Sequence, residues 1–293
     1  MEQLPATALY GMEPPSEKQA RRGLAHLQSR FERIAAARAS NTADAVAQAG
    51  ALRRMLDVKD TGTDGLVKAL RSKQEHAAAR ETAPPEIKPA QSRLFACSLG
   101  ATLTPPYNWS WTWHAGNGAP AVNAASADSK TGRWNVSDWA SFDDSSNASA
   151  RAAVGVFFRP PTETGLLRVW SNPAVNFDWG DWCVLDGAGS DGWLGLYIAE
   201  YDADGGGFSG APVDQQINLW SDSSWWSGVG EQNGSNSGYP LQATLEVDNA
   251  HFYAIWVWGG TDVYAAGWGN PFWGSGAGGD LAAAVRSITW ELH

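Results

Sequence analysis

The sequence predicts an all-β fold, a Trp-rich antiparallel β-sandwich with the jelly roll as one candidate topology, preceded by an α-helical amino-terminal region. The first observation is that none of the 17 tryptophans lies before Trp109. The second is a charge boundary at the same place: residues 1–90 carry a net charge of +3 and residues 91–293 one of −13. The third is a change of apolar period from three-to-four residues to two, which is a change from helix to strand.

A proline-rich segment marks the predicted boundary between the two regions. Pro84, Pro85 and Pro89 stand within six residues, and prolines at this density favour an extended linker over a helix. We therefore predict a helical region over 1–83, a linker over 84–91 and a β-sandwich over 92–293.

Two or three helices are expected in the first region. Ser16 and Gln19 form a capping box that begins a helix ending near Ser40. A second helix begins near Thr42, and a third near Thr63. The apolar stripe of the first helix needs a partner, either the rest of the chain or a docking surface that joins copies into a homo-oligomer. The interface residues predicted on this helix are Leu24, Leu27, Phe31 and Ile34.

Alternation of apolar and polar residues predicts nine or ten strands in the second region. Tyr107, Trp109, Trp111 and Trp113 alternate with polar residues, which is typical of a half-buried strand. The other candidates are Leu94–Leu103, Ala153–Arg159, Leu166–Ser171, Trp193–Tyr201, Gln215–Trp220, Leu241–Asp248, Phe252–Trp258 and Val285–Leu292. Turns are expected at Pro160-Pro161, Asp186-Gly187, Asp204–Gly207, Asn233-Gly234 and Gly274–Gly279.

One hairpin and one terminal strand are predicted in particular. Leu241–Asp248 alternates, Asn249-Ala250 can turn the chain, and Phe252–Trp258 is too apolar to face water on either side. The last strand, Ser287–Leu292, is expected to hold the carboxy terminus within a sheet.

The tryptophans divide into three predicted uses. Trp111, Trp170, Trp256 and Trp290 have the strand context of core residues. Aromatic rings beside Asp and Asn suit sugars, which have an apolar face and a rim of hydroxyls. The ligand-binding residues predicted on this basis, all in expected loops, are Trp179, Asp181, Trp182, Trp225 and Trp226. An exposed aromatic loop, which includes Trp268, Phe272 and Trp273, is predicted as an interface with protein or lipid.

Composition and motif spacing argue against several classes of function. The formal charge of −10 argues against a nucleic-acid partner. The spacing of the His and Cys residues fits no zinc motif, and no phosphate-binding or nucleophile-elbow motif is found. Asp202 and Asp204 leave a calcium site between loops as a minor hypothesis, although the pattern is not an EF-hand. Paired acids such as Asp178 and Asp181 leave a glycoside hydrolase as another minor hypothesis.

The function predicted is therefore non-enzymatic recognition of a carbohydrate or cell-surface ligand through loop tryptophans. Two alternatives stay open: a self-assembling coat, fibre or particle protein, and a membrane-active toxin that uses the helices or the aromatic loop. No transmembrane segment and no secretory signal is evident, which favours cytoplasmic synthesis with release by a non-classical route as an option. Cys97 and Cys183 allow at most one disulfide.

Overall fold

Strands dominate the computed structural model, which describes residues 4–5, 22, 25–37, 40, 99–117, 121–141, 146–160, 164–202, 207–236, 238–266 and 274–293. A helix, α1, covers 25–37. The strands are β1 (Leu4–Pro5), β2 (Leu99–Thr104), β3 (Trp109–Asn117), β4 (Ala121–Asp128), β5 (Arg133–Ser141), β6 (Ser146–Phe158), β7 (Thr164–Ser171), β8 (Ala174–Asp202), β9 (Phe208–Asn236), β10 (Leu241–Asp248), β11 (His251–Ala266), β12 (Gly274–Ala284) and β13 (Ile288–Leu292).

The larger sheet has the order β3-β6-β11-β8-β12-β5-β4, and β9 also pairs with β8. Strands β8 and β9 have 29 residues each and pair with each other along most of their length. On its other side, β8 pairs with β12 over 174–184 and with β11 over 187–202. The sheet therefore has two halves that share β8 and β9. We call the half with β3, β6 and β11 the aromatic half, and the half with β4, β5 and β12 the polar half.

The smaller sheet has the order β1-β2-β13-β7-β10 and is antiparallel except for the two-residue strand β1. Its Leu167 and Trp290 share one hydrophobic cluster with Ile255 of the aromatic half and Phe177 of the polar half. The two halves also touch directly, because the hydroxyl of Thr261 in β11 donates to the carboxylate of Asp138 in β5 over 2.7 Å. The predicted β-sandwich with a helix before it is confirmed.

Several predicted strands are confirmed, and the most apolar one is central. Strand β10 matches the predicted Leu241–Asp248, and β11 is buried along both faces between β6 and β8. The terminal strand β13 lies between β2 and β7, as predicted. Of the four predicted core tryptophans, Trp256 and Trp290 are 1% exposed, whereas Trp111 and Trp170 are half-buried.

Two predictions about local structure are wrong. The segments β10 and β11 do not form a hairpin, because β10 pairs with β7 in the smaller sheet and β11 belongs to the larger one. The turn at Asn249-Ala250 instead carries the chain from one sheet to the other. The predicted turns at Asp186-Gly187, Asn233-Gly234 and Gly274–Gly279 are parts of strands β8, β9 and β12. Glycine favours turns in local sequence patterns, but a sheet accepts glycine where another side chain approaches closely.

The helix α1 packs on the outer face of the aromatic half. Leu27 and Phe31 are 0% and 1% exposed, and the ring centroid of Phe31 lies 5.1 Å from that of Trp258. Ile34 is partly buried in the same cluster. These three residues, predicted as an interface between copies, are thus in contact with their own chain. Leu24, the two later predicted helices, the linker and Cys97 lie outside the described residues.

A buried ion pair lies beneath the helix. Arg151 of β6 contacts Asp262 of β11 over 2.8 Å, with side-chain exposures of 3% and 2%. The guanidinium carbon lies 5.1 Å from the ring centroid of Phe31 and 5.1 Å from that of Trp193. The charge is therefore held between a carboxylate and two aromatic faces, an arrangement that depends on the helix being docked. Within the described residues, no helix is long and apolar enough to span a membrane.

Candidate functional site

The acidic, Trp-rich segment 176–182 is the middle of a strand, and its side chains alternate between the two faces of the polar half. Phe177 and Trp179 point into the core and are 8% and 9% exposed. Asn176 and Asp178 have the opposite parity and are half-buried on the outer face. The predicted loop is therefore a strand with one apolar and one polar face.

The predicted ligand-binding residues are separated by this alternation. Trp179 and Asp181 face the core, on the opposite side of the sheet from an external ligand. Trp182 lies on the outer face but is 3% exposed. The backbones of Trp225 and Trp226 belong to β9, and their side chains lie outside the described part of the chain. The whole predicted aromatic loop with Trp268, Phe272 and Trp273 also lies outside it.

The carboxylate of Asp181 is hydrogen-bonded to the neighbouring strand β9. Its Oδ1 accepts hydrogen bonds from the hydroxyl of Ser224 over 2.9 Å and from the amide of Gly230 over 3.1 Å. Burial, with a smaller contribution from the charge of Asp222, raises the pKa of Asp181 to about 6. The side chain thus links β8 to β9, and its 2% exposure keeps it from an external ligand.

An aromatic platform on the polar half begins one row of outward residues. Strand register aligns Trp139 of β5 with Gly278 of β12, Gly180 of β8 and Glu231 of β9. A Cβ added to Gly278 would lie 3.0 Å from Cε3 of Trp139, so the indole leans over this glycine. Trp139 is half-buried, and a Cβ added to Gly180 would meet nothing closer than 3.5 Å. The row therefore contains an accessible indole, two glycines without side chains and the carboxylate of Glu231, on strands about 4.8 Å apart.

The next row contributes polar groups. Register aligns Ser137 of β5, Asp280 of β12, Asp178 of β8 and Asn233 of β9. Asp280 is 8% exposed. Burial raises the pKa of Asp280 to about 7, the charge of Asp178 raises it further, and a hydrogen bond with Ser137 opposes both. This row supplies carboxylate, amide and hydroxyl groups from four neighbouring strands.

We call this outward surface the polar face. Its members are rigid because each stands on a strand that is paired on both sides or, for β9, on one side. The residues that form it are Asn135, Ser137, Trp139, Asn176, Asp178, Gly180, Glu231, Asn233, Gly278 and Asp280.

A second acidic group lies at the far end of β8 and surrounds a histidine. Nδ1 of His251 contacts Asp248 over 2.6 Å, and its Nε2 lies 3.7 Å from Asp202 and 3.9 Å from Glu200. Asp202 also accepts a hydrogen bond from Ser209 over 2.7 Å. The calcium hypothesis for Asp202 and Asp204 stays a prediction, because Asp204 lies outside the described residues. Among those described, no group of three or more His, Cys, Asp or Glu side chains could hold a metal ion.

The sequence itself contains a signal for the polar face. Asn176 and Asp178 alternate with Phe177 and Trp179, and polar residues alternate with Trp134 and Val136 over 133–137. Trp139, in a segment without a predicted strand, is not among the predicted ligand-binding residues. Alternation in both segments would have indicated the strands, but only the pairing brings their polar faces together.

Comparison with known proteins finds only distant structural likenesses. No family model and no curated protein matches the sequence. The family 11 carbohydrate-binding module of Clostridium thermocellum, solved with a mixed-linked tetrasaccharide, is 15% identical, with a TM-score of 0.17. The match covers 65% of this chain and 97% of that one. TmCBM61, solved with beta-1,4-galactotriose, is 13% identical over 61% of this chain and 86% of that chain, with a TM-score of 0.15.

A viral protein is also among the similar structures. The enzymatically active domain of tailspike protein 4 of bacteriophage CBA120 is 11% identical, with a TM-score of 0.19. The match covers 62% of this chain and 19% of the tailspike chain. At TM-scores this low, none of these likenesses supports an argument about function, which depends on the polar face itself.

Proposed function

We propose that this protein is a non-enzymatic recognition module that binds a carbohydrate on the polar face. The observation that supports the proposal most is the row in which Trp139 leans over Gly278, with Gly180 and Glu231 beyond it. A sugar ring has an apolar face that can stack on an indole and hydroxyls that can bond to planar polar side chains. Asp178 and Asn233 lie one row away, within reach of such hydroxyls.

The arrangement of the carboxylates favours binding over hydrolysis. Glycoside hydrolases place two carboxyl groups on opposite sides of the scissile bond. Asp178 and Asp280 are instead direct neighbours on adjacent strands and project from the same side of the sheet. Two acids on one flat surface can hold a sugar but do not enclose its glycosidic bond.

The proposal is tested by finding a glycan ligand and then removing the platform. A glycan array identifies ligands for the wild-type chain, and calorimetry then measures the affinity of Trp139→Ala for the best of them. We expect at least a tenfold loss, equivalent to about 1.4 kcal/mol, because the stacking surface is gone. Gly278→Ala should give a smaller loss, since a Cβ 3.0 Å from the indole must tilt it.

Trp170→Ala is the matched control. Trp170 is also half-buried but lies on the smaller sheet, with the Arg168 guanidinium carbon 5.5 Å from its ring centroid. Its loss should leave glycan affinity unchanged. Wild-type affinity in Trp139→Ala, or the absence of any glycan ligand, would contradict the proposal.

A further inference from the structure

The polar face carries carboxyl groups at fixed positions, and Asp280, whose pKa burial raises to about 7, carries its negative charge above that pH. Asp178 and Asp280 are directly opposed across β8 and β12, and Glu231 lies one row away on β9. Opposed residues of an antiparallel pair have Cα atoms about 4.5–5.5 Å apart. Because Asp280 is 8% exposed and stands on a central strand, its carboxyl group has little freedom to move away from an incoming ligand.

Basic side chains are almost missing from this surface. In the described parts of β4, β5 and β12, and of β8 over 174–184 and β9 over 227–236, the one Lys or Arg is Arg133. Arg133 is aligned with Ala284, four residues along β12 from Asp280, or about 13 Å. That distance exceeds the Debye length of about 8 Å at physiological ionic strength. Arg133 is also directly opposed to Asp128 of β4. An anionic group on a ligand near Asp280 would therefore find no counter-charge there.

The polar groups present suit hydroxyl donors. An ionised carboxylate only accepts hydrogen bonds, whereas amide and hydroxyl side chains can both donate and accept. Asn135 and Asn176, one row beyond the carboxylates, supply that second capacity. A ligand rich in hydroxyls can thus both donate hydrogen bonds to this face and accept them from it.

We infer that the polar face selects glycans without negative charge and rejects those that carry uronate or sulfate groups, with Asp178 and Asp280 as the residues that enforce the choice. The inference rests on the proposed function of this face. It assigns those two acids a role in specificity that is separate from stacking on Trp139.

Affinity electrophoresis in native gels at pH 8, above the pKa of Asp280, tests the inference with matched polysaccharides. Hydroxyethyl-cellulose and carboxymethyl-cellulose share a backbone and differ in charge, and galactomannan and polygalacturonate extend the comparison. We expect retention by at least one neutral polymer, with an affinity at least tenfold above that for any anionic polymer. The double variant Asp178→Asn/Asp280→Asn should lower the ratio of the neutral-polymer affinity to the anionic-polymer affinity at least threefold.

The whole chain is acidic, so general repulsion from a polyanion must be separated from the local effect. Glu246→Gln/Glu291→Gln removes the same net charge from the smaller sheet and should leave the ratio unchanged. Equal retention by carboxymethyl-cellulose and hydroxyethyl-cellulose in the wild type would overturn the inference while leaving glycan binding intact. An equal change of ratio in the two double variants would also overturn it. Retention by none of the four polymers, together with an empty glycan array, would overturn the proposed function and the inference with it.

Discussion

Asp280→Asn tests whether folding raises the pKa of the Asp280 carboxyl group on the polar face. Asp280 is 8% exposed, is hydrogen-bonded to Ser137 and faces Asp178 across the strand pair. Burial is the main cause that raises its pKa from 3.8 to about 7. An Asn side chain keeps an oxygen that can accept the Ser137 hydrogen bond and has no charge at any pH.

The magnitude follows from the change in pKa on folding. Because each pKa unit corresponds to 1.36 kcal/mol, a change from 3.8 to about 7 corresponds to about 4 kcal/mol. Below pH 3.8 the group is protonated in both the folded and the unfolded state. Between 3.8 and about 7 the folded state keeps a proton that the unfolded state has lost, so the free energy of unfolding falls as pH rises. Ionisation of Asp280 should therefore lower the free energy of unfolding by about 3 kcal/mol between pH 5 and pH 8. Asp280→Asn should abolish this pH-dependent decrease.

Urea unfolding, followed by tryptophan fluorescence from pH 4 to pH 8, measures the effect. Asp280→Asn should be close to wild type near pH 4 and more stable than wild type at pH 8 by a few kcal/mol. Glu246→Gln, at an exposed carboxylate on the smaller sheet, should follow the wild-type profile. Parallel profiles for wild type and Asp280→Asn would show that the site does not hinder ionisation, and would refute the reasoning.

Three further predictions concern the aromatic half and the histidine cluster. Phe31→Ala should lower the free energy of unfolding by about 3 kcal/mol or more, since the ring is 1% exposed between helix and sheet, and urea titration measures this loss. Asp262→Asn should lower the free energy of unfolding by about 3–5 kcal/mol because it leaves Arg151 buried without its counter-charge. In a double-mutant cycle, adding Arg151→Met should restore part of this stability. Burial alone would lower the pKa of His251, but the hydrogen bond to Asp248 and the nearby carboxylates raise it above 6.5. An NMR titration of the His251 ring should show a midpoint above pH 6.5. The stability contributed by the ion pairs of His251 with the nearby carboxylates should be present below pH 6.5 and lost as pH rises through the folded-state pKa.

Sequence patterns predicted the fold class well because burial on two faces leaves a strong signal. Strand β11 is apolar over 252–258, which is the pattern of a strand between two neighbours, and the structure places it between β6 and β8. Glycine-rich β12 was the opposite case. A Cβ on Gly279 would lie 3.1 Å from Oγ of Ser190, so close approach of the two halves accounts for the small residue there. Local propensity predicted a turn because it contains no information about that approach.

The candidate site was harder to predict for a reason that lies in β8 itself. Over 187–202 the even residues, such as Leu194 and Leu196, point into the core, whereas over 174–184 the odd residues, such as Phe177 and Trp179, do so. A register shift between Val184 and Gly187 makes the change. A β-bulge of this kind inverts the assignment of every later side chain to a face.

The same irregularity explains why the two halves of one sheet have different outer surfaces. If the alternation of 187–202 continued unbroken into 174–184, Asp178 would point into the core and Phe177 would face outward. The bulge keeps the apolar residues of both segments inside and leaves Asn176 and Asp178 beside Asp280 on the outside. On the aromatic half, the odd residues Trp193, Tyr197 and Tyr201 reach the outer surface instead, where α1 packs through Leu27 and Phe31. The β-bulge in β8 and the packing of α1 together leave one half covered by the helix and the other half polar. The ligand surface is therefore best sought on the half that α1 does not cover.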